Sequence, residues 1–247
     1  MGLAPASGRG RQLNRYPLPA DKNMDKTRFY EPDESAIERF LKFCRRSKYP
    51  PRSPVIRPGD PADTLYLIIS GSVAVSLEDE DGNELVLAYL NAGDFIGEMG
   101  LFMEPRRRDA LVRSRTECEL AEIKYSRLRQ LMDSELQDDV AQLLFALGLQ
   151  LAKRLLHTSR KVSRLAFMDV TGRVARTLLD LCNEPDAKQH PDGTQLRISR
   201  KEISRIVGCS REMAGRVLKG LEEEGLISTS GMTIIVHEAA AEAHAEA

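Results

Sequence analysis

Apolar residues in the stretch 34–47 recur at Ile37, Phe40, Leu41 and Cys44. This is the i, i+3, i+4, i+7 spacing of a helix with one buried face, and Asp33 or Ser35 can cap it. From 50 to 124 the pattern changes to short β-rich runs separated by glycines, with candidate strands at 55–56, 65–69, 73–77, 84–90, 110–113 and 119–124. Asp81-Gly82-Asn83 lies between two alternating runs, a strong hairpin signal. Many short strands at spacings of roughly 8–12 residues predict a sandwich or jelly-roll barrel.

A small helix is expected over 126–133, then a long one over 137–166 with neither proline nor a breaking glycine pair; Gly148 is a lone interruption. Leu144, Leu147, Leu151, Thr158, Val162 and Leu165 fall on a stripe of alternating three- and four-residue steps if Arg154 is counted with them. That is the a/d pattern of a coiled coil, and so large an apolar stripe predicts a parallel homodimer seam. The residues 167–169 break the pattern as a hinge. Val170, Val174, Leu178 and Leu181 restart a helix that stops before Pro185, and 185–194 reads as a polar loop turning at Pro191-Asp192-Gly193.

Ser199-Arg200-Lys201-Glu202 has the form of a capping box, opening a helix with Ile203, Ile206 and Val207 inward. Gly208-Cys209-Ser210 provides a tight turn, and Ser210 caps a second helix that Gly225 ends. Two short helices joined by a glycine turn form a helix-turn-helix. Met213, Val217 and Leu218 are expected to face the core and Arg211, Glu212 and Arg216 the outside. Arginine can bond guanine O6 and N7 bidentately, and glutamate can accept from cytosine N4. Ser199, Arg200 and Lys219 are placed to meet phosphates, and Ser210, at the start of the second helix, is counted among the DNA-binding residues. Strands at 226–228 and 232–236, joined through Thr229-Ser230-Gly231, make a wing. The fold class expected is therefore α+β: an N-terminal β-roll (34–136), a dimerisation helix (137–166) and a C-terminal winged helix-turn-helix (170–238).

Composition supports this picture without changing it. Hydrophobic residues make up 42% and charged residues 30%, ordinary for a soluble protein. No apolar run approaches the roughly 18–20 residues of a membrane helix. The first 25 residues are rich in Gly, Pro, Ala and Arg and lack an apolar core, so 1–33 reads as a flexible tail, not a secretory signal, and the chain as cytoplasmic. The alanine-rich 239–247 is a second tail. The net charge of −1 conceals an asymmetry: residues 172–220 carry ten Lys/Arg against six Asp/Glu. This surplus suits a polyanionic partner and suits mixed surface charge about as well. Cys44, Cys118, Cys182 and Cys209 are far apart and form no metal-ligand spacing, so no metal is expected. His157, His190, His237 and His244 have no paired nucleophile, and no catalytic residues or enzyme activity are expected.

The sequence resembles the CRP/FNR family of transcriptional regulators, close to the cyclic AMP receptor proteins, over about 34–237. The resemblance is carried by Gly71-Ser72-Val73-Ala74-Val75, by the run Gly93-Asp94-Phe95-Ile96-Gly97-Glu98-Met99-Gly100-Leu101-Phe102, by Leu165-Ala166-Phe167-Met168-Asp169-Val170-Thr171-Gly172-Arg173, and by Ile206-Val207-Gly208-Cys209-Ser210-Arg211-Glu212. It implies a two-fold dimer on double-stranded DNA, at a palindrome related to TGTGA-N6-TCACA, read by Arg211, Glu212 and Arg216. It implies a cyclic-nucleotide pocket in which Gly97 and Glu98 meet the ribose, Arg108 the cyclic phosphate, and Thr158 and Ser159 the purine, Ser159 from the partner subunit. It also implies contact with RNA polymerase through the polar loop that holds His190.

One departure bears on the ligand. The family places serine after the pocket arginine, and here that position is Asp109. A carboxylate about 4 Å from a phosphate, at an effective dielectric near 20, opposes binding by roughly 4 kcal/mol, on the order of a thousandfold. Asp109 could instead pair with Arg108 in place of the phosphate. This change, a lengthened stretch between Leu131 and Thr158, and the run Ser210-Arg211-Glu212-Met213-Ala214-Gly215-Arg216-Val217-Leu218-Lys219 resemble the CAP-like (Clp) branch of the family. Resemblance to that branch implies DNA binding without ligand and release by cyclic di-GMP. Thr158-Ser159 is the pair of the cyclic AMP receptors, so activation by cAMP stays open as the alternative. The lack of an N-terminal cysteine cluster speaks against a redox or gas sensor on the same scaffold, and the lack of a catalytic constellation against an enzyme with a regulatory nucleotide domain.

Overall fold

The computed structural model describes residues 34–103 and 107–237. The two expected tails lie outside the described residues. The described chain divides into two compact units, with the cut between Val162 and Ser163.

The first unit opens with α1 (Glu34–Leu41), whose Ala36 and Phe40 are buried. The helix expected over 34–47 ends early because Arg45–Tyr49 forms β1 instead. This strand is polar, and what holds it is pairing with β8 (Cys118–Lys124): Arg45 lies opposite Glu122 and Lys48 opposite Glu119. Opposite charges across a strand pair favour that register. The other strands are β2 (Pro54–Ile56), β3 (Thr64–Ser70), β4 (Ser72–Glu78), β5 (Glu84–Asn91), β6 (Phe95–Ile96) and β7 (Leu111–Ser114). They form two antiparallel four-stranded sheets, ordered β1-β8-β3-β6 and β2-β7-β4-β5. The hairpin expected at Asp81-Gly82 joins β4 to β5. The β-roll expected from the alternating runs is present.

Between the sheets lies an apolar core of Ile56, Ile68, Val73, Leu90, Ile96, Val112 and Leu120. A second cluster joins β3 and β8 to α1, to α3 (Tyr125–Met132) and to the long helix, through Phe40, Leu65, Leu128, Leu131, Leu143 and Leu147. The short α2 (Met99–Phe102) follows β6. A single 3-10 turn, Gln137–Asp139, precedes α4 (Val140–Phe167). Buried Asp139 accepts from Arg39 Nε at 2.7 Å, pinning the start of this region to α1.

The apolar stripe on α4 differs from the expected one. Leu147 is 1% exposed and packs into the unit's own core, and Arg154 is half-buried and engaged with Glu98. The outward stripe is instead Leu144, Gly148, Leu151, Leu155, Thr158, Val162 and Leu165, an unbroken four-three repeat. Leu155 and Val162 on it are 68% and 59% exposed. The sequence pattern offers two overlapping stripes, and burial against the β-roll removes one of them.

In the second unit Asp169 caps α5 (Val170–Leu181) by accepting from Gly172 N at 2.8 Å. α5 packs with α6 (Arg200–Val207) and α7 (Arg211–Glu223) around Val174, Leu178, Ile203, Ala214, Leu218 and Leu221. Met213, expected inward, is only partly covered; Ala214, one position on, is fully buried. The expected loop 185–194 is in fact a hairpin of β9 (Lys188–His190) and β10 (Gly193–Arg197). It joins the wing strands β11 (Ile227–Ser230) and β12 (Thr233–His237) in a sheet ordered β11-β12-β10-β9. Only Leu196 of the hairpin is an apolar core residue, so its sequence reads as loop.

Candidate ligand pocket and nucleic-acid interface

β6 is followed directly by Gly97, whose φ of +85° is readily available only to glycine. A Cβ there would stand 2.6 Å from Arg108 Nη1 and 2.9 Å from the Thr64 carbonyl, so the position has no room for a side chain. Arg108, which precedes β7, is fixed by its backbone: its N donates to Asp60 O at 2.9 Å and its O accepts from Gly59 N at 2.8 Å. Its guanidinium donates to the Thr64 carbonyl and lies 5.9 Å from the centre of the Tyr125 ring. Tyr125 donates to the Gly97 carbonyl, and burial pushes its phenol above the usual value.

Glu98 is 2% exposed. Its carboxylate is neutralised by Arg154, whose other terminal nitrogen donates to the Phe95 carbonyl. One turn earlier on α4, the Gln150 amide oxygen accepts from Phe95 N at 2.6 Å and its nitrogen donates to Phe95 O at 2.8 Å. The structure thus brings Gly97, Glu98 and Arg108 together, as expected, and adds Thr64, Tyr125, Gln150 and Arg154. Asp109 is exposed, and no Arg108–Asp109 ion pair forms among the described residues. The anticipated internal pairing with Asp109 is therefore replaced by the Thr64 carbonyl and the Tyr125 ring. Thr158 and Ser159 are exposed on α4, Thr158 one turn beyond Arg154.

The second candidate site is the start of α7. Ser199 Oγ accepts from Glu202 N and Ser210 Oγ from Met213 N, each at 3.1 Å, so both serines cap their helices. Between them Gly208 takes φ +71°, the left-handed conformation the tight turn needs. Arg211, Glu212, Arg216 and Lys219 are all exposed, on the side of α7 opposite Ala214, Leu218 and Leu221. Lys219 makes an i,i+4 ion pair with Glu223 at 3.6 Å. Arg200 crosses Gly215, its Cδ 3.7 Å from where a Cβ would sit, adding a cation to the same face. Such a face can place arginines on base edges and lysine or serine on phosphates.

Residues 46–135 match the cyclic nucleotide-binding domain family, and 172–241 match the Crp-like helix-turn-helix domain. Over 205 residues the chain is 57% identical to the CRP-like protein Clp of Xanthomonas euvesicatoria pv. vesicatoria (strain 85-10), covering 83% of this chain and 89% of that protein. The chain belongs to the CRP/FNR family, in its Clp branch. The family is one of transcriptional regulators, not enzymes, and its helix-turn-helix binds DNA. The solved structure of CLP, the c-di-GMP responsive global regulator of Xanthomonas campestris, aligns with a TM-score of 0.80 at 56% identity, covering 83% of this chain and 99% of that chain. A CRP/FNR-family transcriptional regulator of Thermus thermophilus aligns with a TM-score of 0.67 at 27% identity, covering 82% of this chain and 99% of that chain. Among the described residues no helix is long and apolar enough to cross a membrane, and no His/Cys/Asp/Glu group could hold a metal ion.

Proposed function

We propose that the protein is a homodimeric cytoplasmic regulator that binds palindromic DNA in its nucleotide-free form and is released by cyclic di-GMP. The observation that carries this reading is the state of the pocket. In a nucleotide-activated member the ligand would bring a hydroxyl to Glu98 and a phosphate to Arg108. Here Arg154 already neutralises Glu98, and Arg108 is held by the Thr64 carbonyl against Tyr125. The link between β-roll and α4 that a nucleotide would have to make is built from protein alone. Asp109, next to Arg108 in the chain and exposed, adds a negative charge that opposes a lone cyclic phosphate.

The outward stripe on α4 supports the dimer. It runs from Leu144 to Leu165, about 30 Å of helix, and a second copy of the same helix in parallel covers it best. Arg211, Glu212 and Arg216 then read a half-site related to TGTGA-N6-TCACA, two half-sites meeting the two-fold dimer, with Ser199, Arg200, Ser210 and Lys219 at the phosphates. RNA polymerase is the further partner, met through the β9–β10 hairpin. The chain is then organised as a nucleotide-binding β-roll (34–136), a dimerisation helix (137–166), a hinge (167–169) and a DNA-binding domain (170–238).

A second reading, activation by cAMP, rests on Thr158 and Ser159. Thr158 is itself a stripe position and Ser159 its neighbour, so a paired α4 would bring both to the dimer interface beside Glu98 and Arg108. Gel shifts of the purified protein on a palindromic duplex, without ligand and in titrations of cyclic di-GMP and of cAMP, separate the two. Retention without ligand and loss with cyclic di-GMP is expected. Retention only with cAMP would establish the second reading.

A further inference from the structure

Among the described residues β6 is the last strand of its sheet and pairs only with β3, through Tyr66 opposite Ile96 and Leu67 opposite Phe95. An edge strand leaves backbone donors and acceptors on its free side. At Phe95 both are satisfied by one side chain: the Gln150 carboxamide accepts from the N–H at 2.6 Å and donates to the carbonyl at 2.8 Å. A carboxamide carries the donor and acceptor of a peptide group, so Gln150 pairs with β6 as a neighbouring strand would. It is 8% exposed, on the α4 face that holds Leu143, Ala146 and Leu147 in the core. Four residues later Arg154 donates to the same Phe95 carbonyl and to Glu98.

We infer that Gln150 is a positioning residue that sets the register of α4 on β6, holds Arg154 on Glu98 and keeps the pocket closed to nucleotide. This rests on the reading that the nucleotide-free protein binds DNA. The physical logic is geometric. Two hydrogen bonds to one peptide unit fix both the height and the rotation of α4 at residue 150. Arg154 lies one turn along the same face, so its reach to Glu98 follows. Without the clip the guanidinium is free to leave, and the Glu98 carboxylate becomes available to a ribose hydroxyl.

Gln150→Met keeps the length of the side chain and removes both hydrogen bonds. It should bind cyclic di-GMP about tenfold more tightly by calorimetry and retain palindromic DNA about tenfold more weakly without ligand, the change expected from two lost bonds and one orphaned N–H. Hydrogen exchange at the Phe95 amide should accelerate. Leu147→Ala, on the same face but without a bond to β6, should lower Tm while leaving nucleotide affinity and Phe95 exchange in place. If Gln150→Met does not fold, Gln150→Glu applies the same test. It keeps the acceptor for Phe95 N–H and sets a carboxylate against Phe95 O, so the amide should stay protected while nucleotide affinity rises about threefold. Nucleotide affinity unchanged in Gln150→Met, whatever the exchange rate at Phe95, or unchanged in Gln150→Glu where that variant takes its place, would overturn the inference. Failure of the wild-type protein to retain DNA without ligand would instead overturn the proposed function, leaving the exchange and affinity measurements to judge Gln150 separately.

Discussion

Leu155→Asp puts a carboxylate at an apolar position of α4 where 68% of the residue's surface is open in the lone chain. Full burial of a leucine side chain stabilises by about 1.5–3 kcal/mol. Two-thirds of that, recovered when a second α4 covers it, is about 1–2 kcal/mol per chain and about 2–4 kcal/mol per dimer. The dimer Kd should therefore weaken about 30- to 1,000-fold, and the desolvation of an unpaired carboxylate adds to the loss. Sedimentation equilibrium over a dilution series reads this directly. Arg160→Asp, exposed on the same helix but off the stripe, is the control and should leave the dimer intact. Circular dichroism should show both variants folded, because Leu155 contributes little to its own chain's core. A Leu155→Asp protein that stays dimeric at the same concentrations, or an Arg160→Asp protein that dissociates equally, would refute the dimer seam.

Arg154→Leu strands the buried Glu98 carboxylate without its partner, and losing one half of a buried ion pair costs about 3–5 kcal/mol. Denaturant titration should show that loss, with Arg154→Leu/Glu98→Gln recovering most of it. Arg211→Ala or Arg216→Ala should cost about 1–3 kcal/mol on the cognate duplex and little on a scrambled one, whereas Lys219→Ala should weaken both and lower the salt slope by about 1. Asp109→Ser should raise cAMP affinity in calorimetry, by up to about a thousandfold if the full Coulomb penalty is lifted. Burial pushes the Cys44 thiol up from 9.0 to about 12. Its contribution to stability is therefore complete below pH 9 and is lost as the pH rises from 9 towards 12, because the unfolded chain ionises first. In the folded protein at about pH 8 the half-buried Cys44 should resist alkylation, and rapid labelling would contradict the raised thiol.

The elements legible in the sequence are those whose stability comes from an apolar face. The alternating runs of β3, β4 and β5 and the one-sided helices α5, α6 and α7 lie close to where their patterns place them. β1 is hidden because Arg45-Arg46-Ser47-Lys48 carries no apolar alternation; its partners are Glu119 and Glu122, more than seventy positions away in the chain. The β9–β10 hairpin is hidden for the related reason that it extends the wing sheet with mostly polar side chains. Of the pocket, Gly97, Glu98 and Arg108 are legible through family motifs, and Tyr125 and Thr64 are not, since only tertiary packing brings them to Arg108. Gln150 and Arg154 do leave a signal. They are two polar residues four apart on the side of α4 that also carries Leu143, Ala146 and Leu147, a place where an unpartnered amide and guanidinium would be costly. The sequence pattern instead counts Arg154 into the coiled-coil stripe, because the two candidate stripes overlap until burial separates them.

The central claim is that protein groups already do in this pocket what a nucleotide does in an activated relative. The most direct test is the affinity of nucleotide-free protein for a palindromic duplex at fixed salt, followed through a cyclic di-GMP titration by fluorescence anisotropy. Tight, sequence-selective binding that falls as cyclic di-GMP is added is the expected result. Binding that is absent until a cyclic nucleotide is supplied would contradict the account.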